Sequence, residues 1–454
     1  MRFVTEEQKQ VPVSNEADIV VVGGGCTGVF AAIRAARLGA RVVLIEQTNC
    51  FGGVATSGMV CVWHTLMDTT LRRQIIGGLT EEVIERLKRV PNGIHIVPPP
   101  ADDPVEFSAR TFSTHHLNTE ELKIELDRLV LESGVIPCLH TKFVAPFISD
   151  GRLAGVFIEN NNGRSVILGR YFIDASADGF LGSSLGMESY FHETLQPAST
   201  AARVFGWDDL ASPNDTLRAV QDELGWRIGW DDLFPGVGNL RNWFKSNIVT
   251  DTLDADSLTK AEMECRLQVR QMMDVLRDKD PMGKKLALVA LSSTLGIREG
   301  RQLKCSYRLR GEDLYDGAKF DDAIAFSCYP VDIHHENKPS TYRCLNGMEE
   351  IVTVGGPHTF VRWKTADTYP TYWQIPYRCM LPKNIPNLLI CGRCMDADKE
   401  AFAAIRVMTS LNQTGEAAGV AAFEALSSGK NVQDIDIASM KRKMKAGGSI
   451  VMDA

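Results

Sequence analysis

No run of this sequence approaches the roughly 18 uninterrupted apolar residues that a membrane-crossing helix needs. There is no excess of positive charge either: 49 Lys and Arg stand against 57 Asp and Glu, a net charge of −8 over 454 residues. That balance gives no general attraction to phosphate backbones or anionic lipid, so neither nucleic acid nor a membrane surface is an expected partner. No disulfide framework is visible, because the 11 cysteines are scattered and odd in number, which suits a reducing compartment. Met1 to Ala17 is polar and has no apolar h-region, so a secretory signal is not expected and the cytoplasm is. Internal repeats and low-complexity tracts are also missing, and no zinc or iron–sulfur ligand spacing is completed, so no metal is expected.

What is present is material for a core. Hydrophobic residues make up 44% and charged residues 23%, close to globular averages. At about 100–200 residues per domain the length allows two to four units, or one large body with an insertion.

The chain opens its ordered part with a β-α-β pattern. Asp18-Ile-Val-Val-Val22 is a buried β-branched run stopping at glycines, Val29 to Leu38 is an Ala-rich helix closed by Gly39, and Arg41 to Glu46 is a second buried strand. Asn118 to Ser133 predicts an amphipathic helix with Asn118 or Thr119 as N-cap and acids in its first turn. Val135–His140, Leu153–Glu159 and Ser165–Leu168 then predict an antiparallel meander, joined at Asp150-Gly151 and Asn160 to Gly163, before Tyr171–Asp174 rejoins the main sheet. Between Tyr190 and Pro382 the composition changes. Six of the seven tryptophans, Trp207, Trp226, Trp230, Trp243, Trp363 and Trp373, fall there. That stretch reads as an inserted cap with a helix near Leu258–Asp278, and Asn387–Gly392 then returns to the first style as a buried strand and turn. His115 and His116 read as ordinary surface before the helix N-cap.

The strongest chemical signal is Gly23-x-Gly25-x-x-Gly28 between strand and helix, with Glu46 ending the next strand. Such a loop lets Gly23 turn tightly, Gly25 admit a pyrophosphate against the backbone and Gly28 pack helix on strand, while the helix N-terminus offers N–H donors. Cys26 and Thr27 lie inside the loop, and Gln47 stands beside the acid that would hold ribose hydroxyls. NAD and FAD share this fingerprint. The small-residue stretch Phe51 to Gly58 and the late polar loop after Gly392 both favour the longer dinucleotide.

With those residues in view, a resemblance can be stated. Gly-Gly-Gly-Cys-Thr-Gly, Phe51-Gly-Gly-Val-Ala-Thr-Ser-Gly58, Ile173-Asp-Ala-Ser-Ala-Asp-Gly179, Leu295-Gly-Ile-Arg-Glu-Gly-Arg301, Tyr329-Pro-Val-Asp-Ile-His334, and Ile375-Pro-Tyr-Arg378 through the segment that follows Cys391 together resemble bacterial FAD-dependent oxidoreductases related to fumarate reductase and L-aspartate oxidase flavoproteins. The resemblance implies an α/β, doubly wound FAD-binding domain of glutathione-reductase type, formed by 17–186 and 383–430. A mixed β and helical substrate domain at 187–382 would be inserted in it, between an N-terminal tail 1–16 and a C-terminal tail 431–454. It puts Gly52, Gly53, Thr56 and Ser57 along the pyrophosphate and flavin, Asp178 near the cofactor, and Gly392, Arg393 and Asp396 at the ribityl or phosphate end. A helix beginning near Val407, with Thr409 in its first turn and Arg406 just before it, would aim its positive end at the flavin pyrimidine. Two departures stand out: Ser176 occupies a position where the family has threonine and Ala177 one where it has glycine, and a methyl group at Ala177 disfavours positive φ.

For substrate chemistry, Arg298 and Arg301, spaced i,i+3, suit an anionic or hydroxylated substrate. His334 after Asp332 is the expected acid/base, and Tyr372, Tyr377 and Arg378 form a polar-aromatic group able to line a pocket. His64 is a second histidine able to reach the flavin, with non-covalent FAD expected over covalent attachment. Cys391-x-x-Cys394 is read as packing before redox chemistry. The expected activity is transfer of a hydride between a small polar organic substrate and flavin N5. The second electron partner (oxygen, a quinone, a protein or a transient nicotinamide) and homo-oligomerisation stay open. The alternatives are an NAD-dependent dehydrogenase using the same loop, and a non-catalytic or RNA-associated FAD-binding protein.

Overall fold

The N-terminal apolar runs form the centre of a parallel sheet, as continuous burial on both faces demands. In a computed structural model the described residues are 2–5, 7–98, 114–213, 215–217, 219, 234–235, 240–244, 246–336, 338–352 and 358–452. Trp226 and Trp230 lie outside them. Strand β1 (Val13–Val22) leads into helix α1 (Cys26–Arg37) and strand β2 (Val42–Ile45). Helix α2 (Leu79–Lys88) and helix α3 (Thr119–Glu132) follow, and Asn118 caps α3 by accepting from the Glu120 amide. Then come strands β3 (Ile136–Cys138), β4 (Lys142–Ser149), β5 (Arg152–Asn160) and β6 (Gly163–Asp174).

The sheet order is β3-β2-β1-β6-β5-β4, and the late strand β7 (Leu388–Ile390) joins the other side of the C-terminal half of β6. β1, β2, β3, β6 and β7 run parallel; β4 and β5 run antiparallel off the first half of β6. The expected meander is therefore shifted. Residues 136–138 belong to the parallel edge, because α3 carries the chain back to β2 in a crossover. The first meander strand is β4 instead, and its third strand and the rejoining run are one continuous β6. Asp150 and Gly151 both take positive φ, 51° and 72°, as a tight hairpin of that composition requires.

Alternate residues of β1 feed two cores. Ile19 and Val21 pack with α1, α3 and the late helices, whereas Val20 and Val22 pack with Leu153, Val156 and Ile158 of the meander. His115 and His116 are both 8% exposed. They are not surface, because residues 114–117 form a strand between 62–63 and 94–97.

The stretch between β6 and β7 is mixed β and helical. Strands 201–205, 240–244 and 287–291 pair in one sheet over helix α4 (Ala255–Lys279), and strands 331–333, 340–343, 348–352 and 358–362 form another. A third pair, 323–327 with 373–376, buries Phe326, Trp373 and Ile375 in the same core as α1. After β7 come α5 (Lys399–Ile405) and α6 (Met408–Ser428). The expected C-terminal tail in fact carries helix α7 (Ile437–Ala446), docked through buried Met440 and Met444. Arg34 of α1 anchors it by donating to the Gly447 and Met444 carbonyls at 2.6 and 3.1 Å.

Candidate active site

The two glycine segments meet at the carboxyl end of β1. Gly23 has φ 104°, which only glycine adopts without strain, and a Cβ there would lie 2.3 Å from the Ala175 carbonyl oxygen. The Gly52 amide donates to the Gly24 carbonyl at 2.8 Å, and a Cβ on Gly53 would stand 3.1 Å from Gly25 Cα. A Cβ on Gly28 would strike the Gly23 carbonyl oxygen at 1.9 Å. Gly25 is different: among the described residues a Cβ there would meet nothing within 4 Å. It begins α1 with no side-chain cap and no acid in the first turn, so the helix N–H donors and their partial positive charge face open space.

Glu46 closes the loop from β2. Its Oε2 accepts from the Gly24 amide at 2.8 Å and its Oε1 from the Thr48 amide at 2.8 Å and hydroxyl at 2.9 Å. Gln47 beside it is exposed. Cys26 packs its thiol against the Gly52 carbonyl at 3.5 Å, and burial pushes that thiol up to about 12. Thr56 turns inward to the Phe51 carbonyl at 2.6 Å, and Ser57 lies buried against the Cys50 sulfur at 3.3 Å.

From the other end of the chain, Gly392 follows β7 and faces Thr27, 3.8 Å from where its Cβ would be. Arg393 makes a two-point pair with Asp178 at 3.0 and 2.6 Å, and Thr252 also donates to Asp178 at 3.0 Å. Ala177 just before it takes φ 70°, so the left-handed turn is kept at the cost of a strained alanine. Asp396 is turned away, accepting from the Tyr190 hydroxyl and the Cys305 amide, each at 2.8 Å. Cys391 and Cys394 are free thiols. The Cys394 sulfur contacts the Cys391 carbonyl at 3.6 Å, and burial raises both thiols, which disfavours the reactive thiolate.

Helices α1 and α6 lie side by side and point the same way. Added Cβ atoms on Gly415 and Gly419 would strike the carbonyl oxygens of Thr27 and Ala31 at 2.1 and 2.2 Å, matching one helical turn on each. Met408 stands seven residues before Gly415, about 10 Å of helix, so α6 reaches well past the start of α1. Its N-terminus has no side-chain cap and no first-turn acid, and among the described residues the buried hydroxyls of Thr409 and Ser410 have no partner. Two uncapped helix ends offset along one line fit a long dinucleotide, with the anionic pyrophosphate at α1 and a second electron-rich group at α6.

Around the start of α6 lies a buried polar cluster. Arg406 donates to Asp332 Oδ2 at 2.8 Å, and Tyr329 donates to the same oxygen at 2.9 Å. Asp332 Oδ1 faces His334 Nε2 at 3.0 Å, and His334 Nδ1 lies 3.2 Å from the Ser340 hydroxyl. The Gln196 carbonyl oxygen accepts from the His334 amide at 3.0 Å and from Arg406 at 3.3 Å. Arg298 uses Nη1 on the Pro197 carbonyl and the Ser199 hydroxyl, at 2.6 and 2.8 Å; among the described residues its Nε and Nη2 have no acceptor. The His64 ring lies 4.3 Å from that of Tyr329. Burial holds His64 and His334 down to about 4, Arg298 down to about 10 with help from the charge of Arg406, and Asp332 well below the carboxylate range once His334 and Arg406 outweigh its desolvation.

The other substrate-side candidates lie apart. Arg301 holds the 178–183 turn, donating to the Asp178 carbonyl and the Ser183 hydroxyl at 2.8 and 2.7 Å. Tyr372 sits between Arg73 and Lys319, Tyr377 donates to the Val432 carbonyl at 2.8 Å, and Arg378 stacks on Tyr307 and Phe320. From sequence, Tyr329 and Asp332 stand within a motif but take no role of their own, and Gln196 is not singled out. The signal for Asp332 was its i,i+2 spacing from His334, which puts both on one side of a strand; Gln196 had none.

Among the described residues no helix is long and apolar enough to cross a membrane. Over 95 residues the chain is 33% identical to thiamine thiazole synthase of Saccharolobus islandicus, covering 21% of this chain and 32% of that protein. The chain thus spans about a third of the length of the curated relatives it matches. Similar crystal structures include a geranylgeranyl bacteriochlorophyll reductase-like protein from Thermoplasma acidophilum, with 13% identity and TM-score 0.43 over 95% of this chain and 83% of that one. Another is p-nitrophenol 4-monooxygenase from Pseudomonas putida DLL-E4, with 10% identity and TM-score 0.45 over 92% and 82%. The model of the FAD dependent oxidoreductase family matches residues 18–444, nearly the whole chain, and the chain belongs to that family: it is an enzyme whose cofactor is FAD.

Proposed function

We propose that this flavoenzyme moves a hydride between flavin N5 and a small polar substrate carrying an anionic group, with FAD held non-covalently. The observation that carries the reading is the charge of the buried cluster. Arg298 and Arg406 are cationic, Asp332 is the anion between them, and His64 and His334 are held neutral. One positive charge is left in excess, and a buried charge without a partner is costly. Among the described residues the Nε and Nη2 of Arg298, the Nε of Arg406 and the Nε2 of Gln196 are donors without acceptors, which suits a carboxylate or similar group. Likeness of the motifs to fumarate reductase and L-aspartate oxidase flavoproteins points the same way.

When bound, FAD supplies the two-electron exchange; the chain supplies position and charge. In this reading Gly23, Gly25 and Gly28 with Glu46 hold the ADP half, and Gly52, Gly53 and the Gly392 turn hold the middle of the cofactor. The Asp178–Arg393 pair ties the two cofactor segments together. Thr409 and Ser410 would face the flavin from α6. Arg298 binds the substrate anion, while the Asp332–His334 pair fixes Arg406 in place. One dinucleotide fingerprint is visible, so the second half-reaction uses an acceptor or donor with no dedicated domain in this chain.

The test is direct. Purified protein should be yellow and release FAD on denaturation, and an anaerobic panel of small hydroxy, amino and saturated carboxylic acids should include a compound that bleaches the flavin band. Bleaching only by neutral alcohols or amines, or by none of the panel, would overturn the anionic-substrate reading.

A further inference from the structure

The cluster holds two imidazoles, and their surroundings differ. His334 is committed on both sides of its ring, with Nε2 toward Asp332 at 3.0 Å and Nδ1 toward Ser340 at 3.2 Å. A neutral imidazole with its proton on the nitrogen facing a carboxylate has its remaining lone pair turned to the serine hydroxyl, so neither nitrogen is left for a ligand. His64 comes from a different segment, just past the strand at 62–63. One side of its ring leans on Tyr329, at 4.3 Å and 44°. The residue keeps partial exposure, and among the described residues nothing hydrogen-bonds either ring nitrogen.

The other ionisable groups at the site are less suited to moving a proton. The Tyr329 hydroxyl is spent on Asp332, and burial with that anion raises it well above its usual range. Asp332 is held as an anion by three partners. Arg298 and Arg406 are guanidiniums and serve as fixed charge. His64 is faced by Asp332, which favours its proton, and by Arg406, His115 and His116, which oppose it; burial is the largest influence and keeps it neutral. A neutral imidazole with an uncommitted nitrogen, in the same cluster as the Arg406 charge, meets one requirement of a general base, that no competing bond holds its lone pair.

We propose that His64 is the catalytic acid–base residue, taking a proton from the substrate through its free ring nitrogen during oxidation and returning it in the reverse direction. The proposal rests on the hydride-transfer reading. In the oxidative direction the substrate C–H bond and an adjacent O–H, N–H or second C–H bond break, and a C=O, C=N or C=C bond forms. The hydride, with both electrons, is what FAD accepts, and the proton goes to His64 and then to solvent. His334 is a positioning residue in this scheme, holding Asp332 and through it Arg406.

Two measurements on the holoenzyme decide it. In the first, diethyl pyrocarbonate is applied at neutral pH and the peptides are mapped. His64 should be carbethoxylated ahead of His334 and His192, since the latter is also engaged, by Glu299 at 2.5 Å and the Ala397 carbonyl at 3.1 Å. In the second, His64→Gln and His64→Ala are reduced anaerobically by the panel compound that bleaches the wild type. Both should retain FAD and photoreduce normally, yet bleach about 100- to 10,000-fold more slowly, with added imidazole restoring part of the rate to His64→Ala. Bleaching of His64→Gln at the wild-type rate, or labelling of His334 with His64 untouched, overturns the assignment while leaving hydride transfer standing. A wild type that binds FAD and is bleached by no panel compound overturns both.

Discussion

Replacing Gly25 by alanine separates cofactor binding from folding at a single position. Its φ is −61°, which alanine accepts, and the added Cβ meets no protein atom within 4 Å. As an N-cap, alanine is poorer than glycine by roughly 0.5–1 kcal/mol. Its stiffer unfolded chain returns about 0.4–1 kcal/mol. The two effects nearly cancel, so Tm without cofactor should move by no more than about 2–4 °C. The methyl group instead enters the space in front of the α1 amides. If a pyrophosphate lies there, at least one charge-assisted hydrogen bond is lost, worth about 1.5–3 kcal/mol, or about a 10- to 150-fold weaker affinity. The assay is reconstitution of stripped protein with FAD, followed by quenching of flavin fluorescence, beside a thermal scan of the same sample. Gly28→Ala is the contrasting control. Its Cβ would lie 1.9 Å from a backbone oxygen, so it should lower Tm and FAD content together. Wild-type affinity in Gly25→Ala, or FAD lost only in proportion to folded protein, would refute the placement of the cofactor against this loop.

Other positions give equally definite expectations. Gly419→Ala should destabilise the fold by up to about 2 kcal/mol, because wedging α6 off the Ala31 carbonyl, 2.2 Å from the added Cβ, costs toward the upper end of roughly 1–3 kcal/mol and better helix propensity returns only about 1; an unchanged urea midpoint would contradict the close helix contact. Ala177→Gly should raise Tm slightly, since relief of a left-handed alanine is worth about 1–2 kcal/mol against about 0.4–1 lost to unfolded-chain entropy; a drop in Tm would show that the φ of 70° is not strained. Acid should destabilise the protein between pH 6.5 and 4. His64, His116 and His334 are each held down to about 4, so the unfolded chain takes protons that the folded chain refuses, and stability present above 6.5 falls on the order of a few kcal/mol. Glu416, pushed up to about 7 by burial that outweighs the opposing charge of Arg34, acts in the opposite sense between 7 and 4.5; a Tm that is flat or rises as pH falls from 6.5 would sink the three-histidine expectation.

Much of the cofactor half was legible in the sequence because its signals are local. A β-branched run ending in glycines, an Ala-rich helix and an acid at the end of the next strand each report their own conformation, and α3 announces itself through Asn118. The meander was misplaced because pairing is not local. Residues 136–138 and 142–149 are both short and half-apolar, and only the crossover through α3 decides which joins the parallel edge. The C-terminal helix escaped for a related reason: its segment is mostly polar, and what docks it is distant in sequence, the core under Met440 and Met444 and Arg34 of the first helix on the Met444 and Gly447 carbonyls.

The site divides along the same line. The residue types at 298, 332, 334 and 406 suggested chemistry, but the role each side chain is free to play depends on what already occupies it. Arg298 and Arg301 look alike in sequence, yet Arg301 spends its guanidinium on the 178–183 turn while Arg298 leaves two nitrogens open. His334 and His64 differ in the reverse sense to their motifs: the histidine inside the longer motif has both nitrogens engaged, and among the described residues the isolated one has neither. A hydrogen-bonding group that reacts must be incompletely satisfied by its own protein, and satisfaction is a property of three-dimensional neighbours. Here those neighbours come from the segments around 64, 196, 298, 332 and 406, so the free valences that distinguish a reacting group from a supporting one become visible only once the cap and the cofactor domain are folded together.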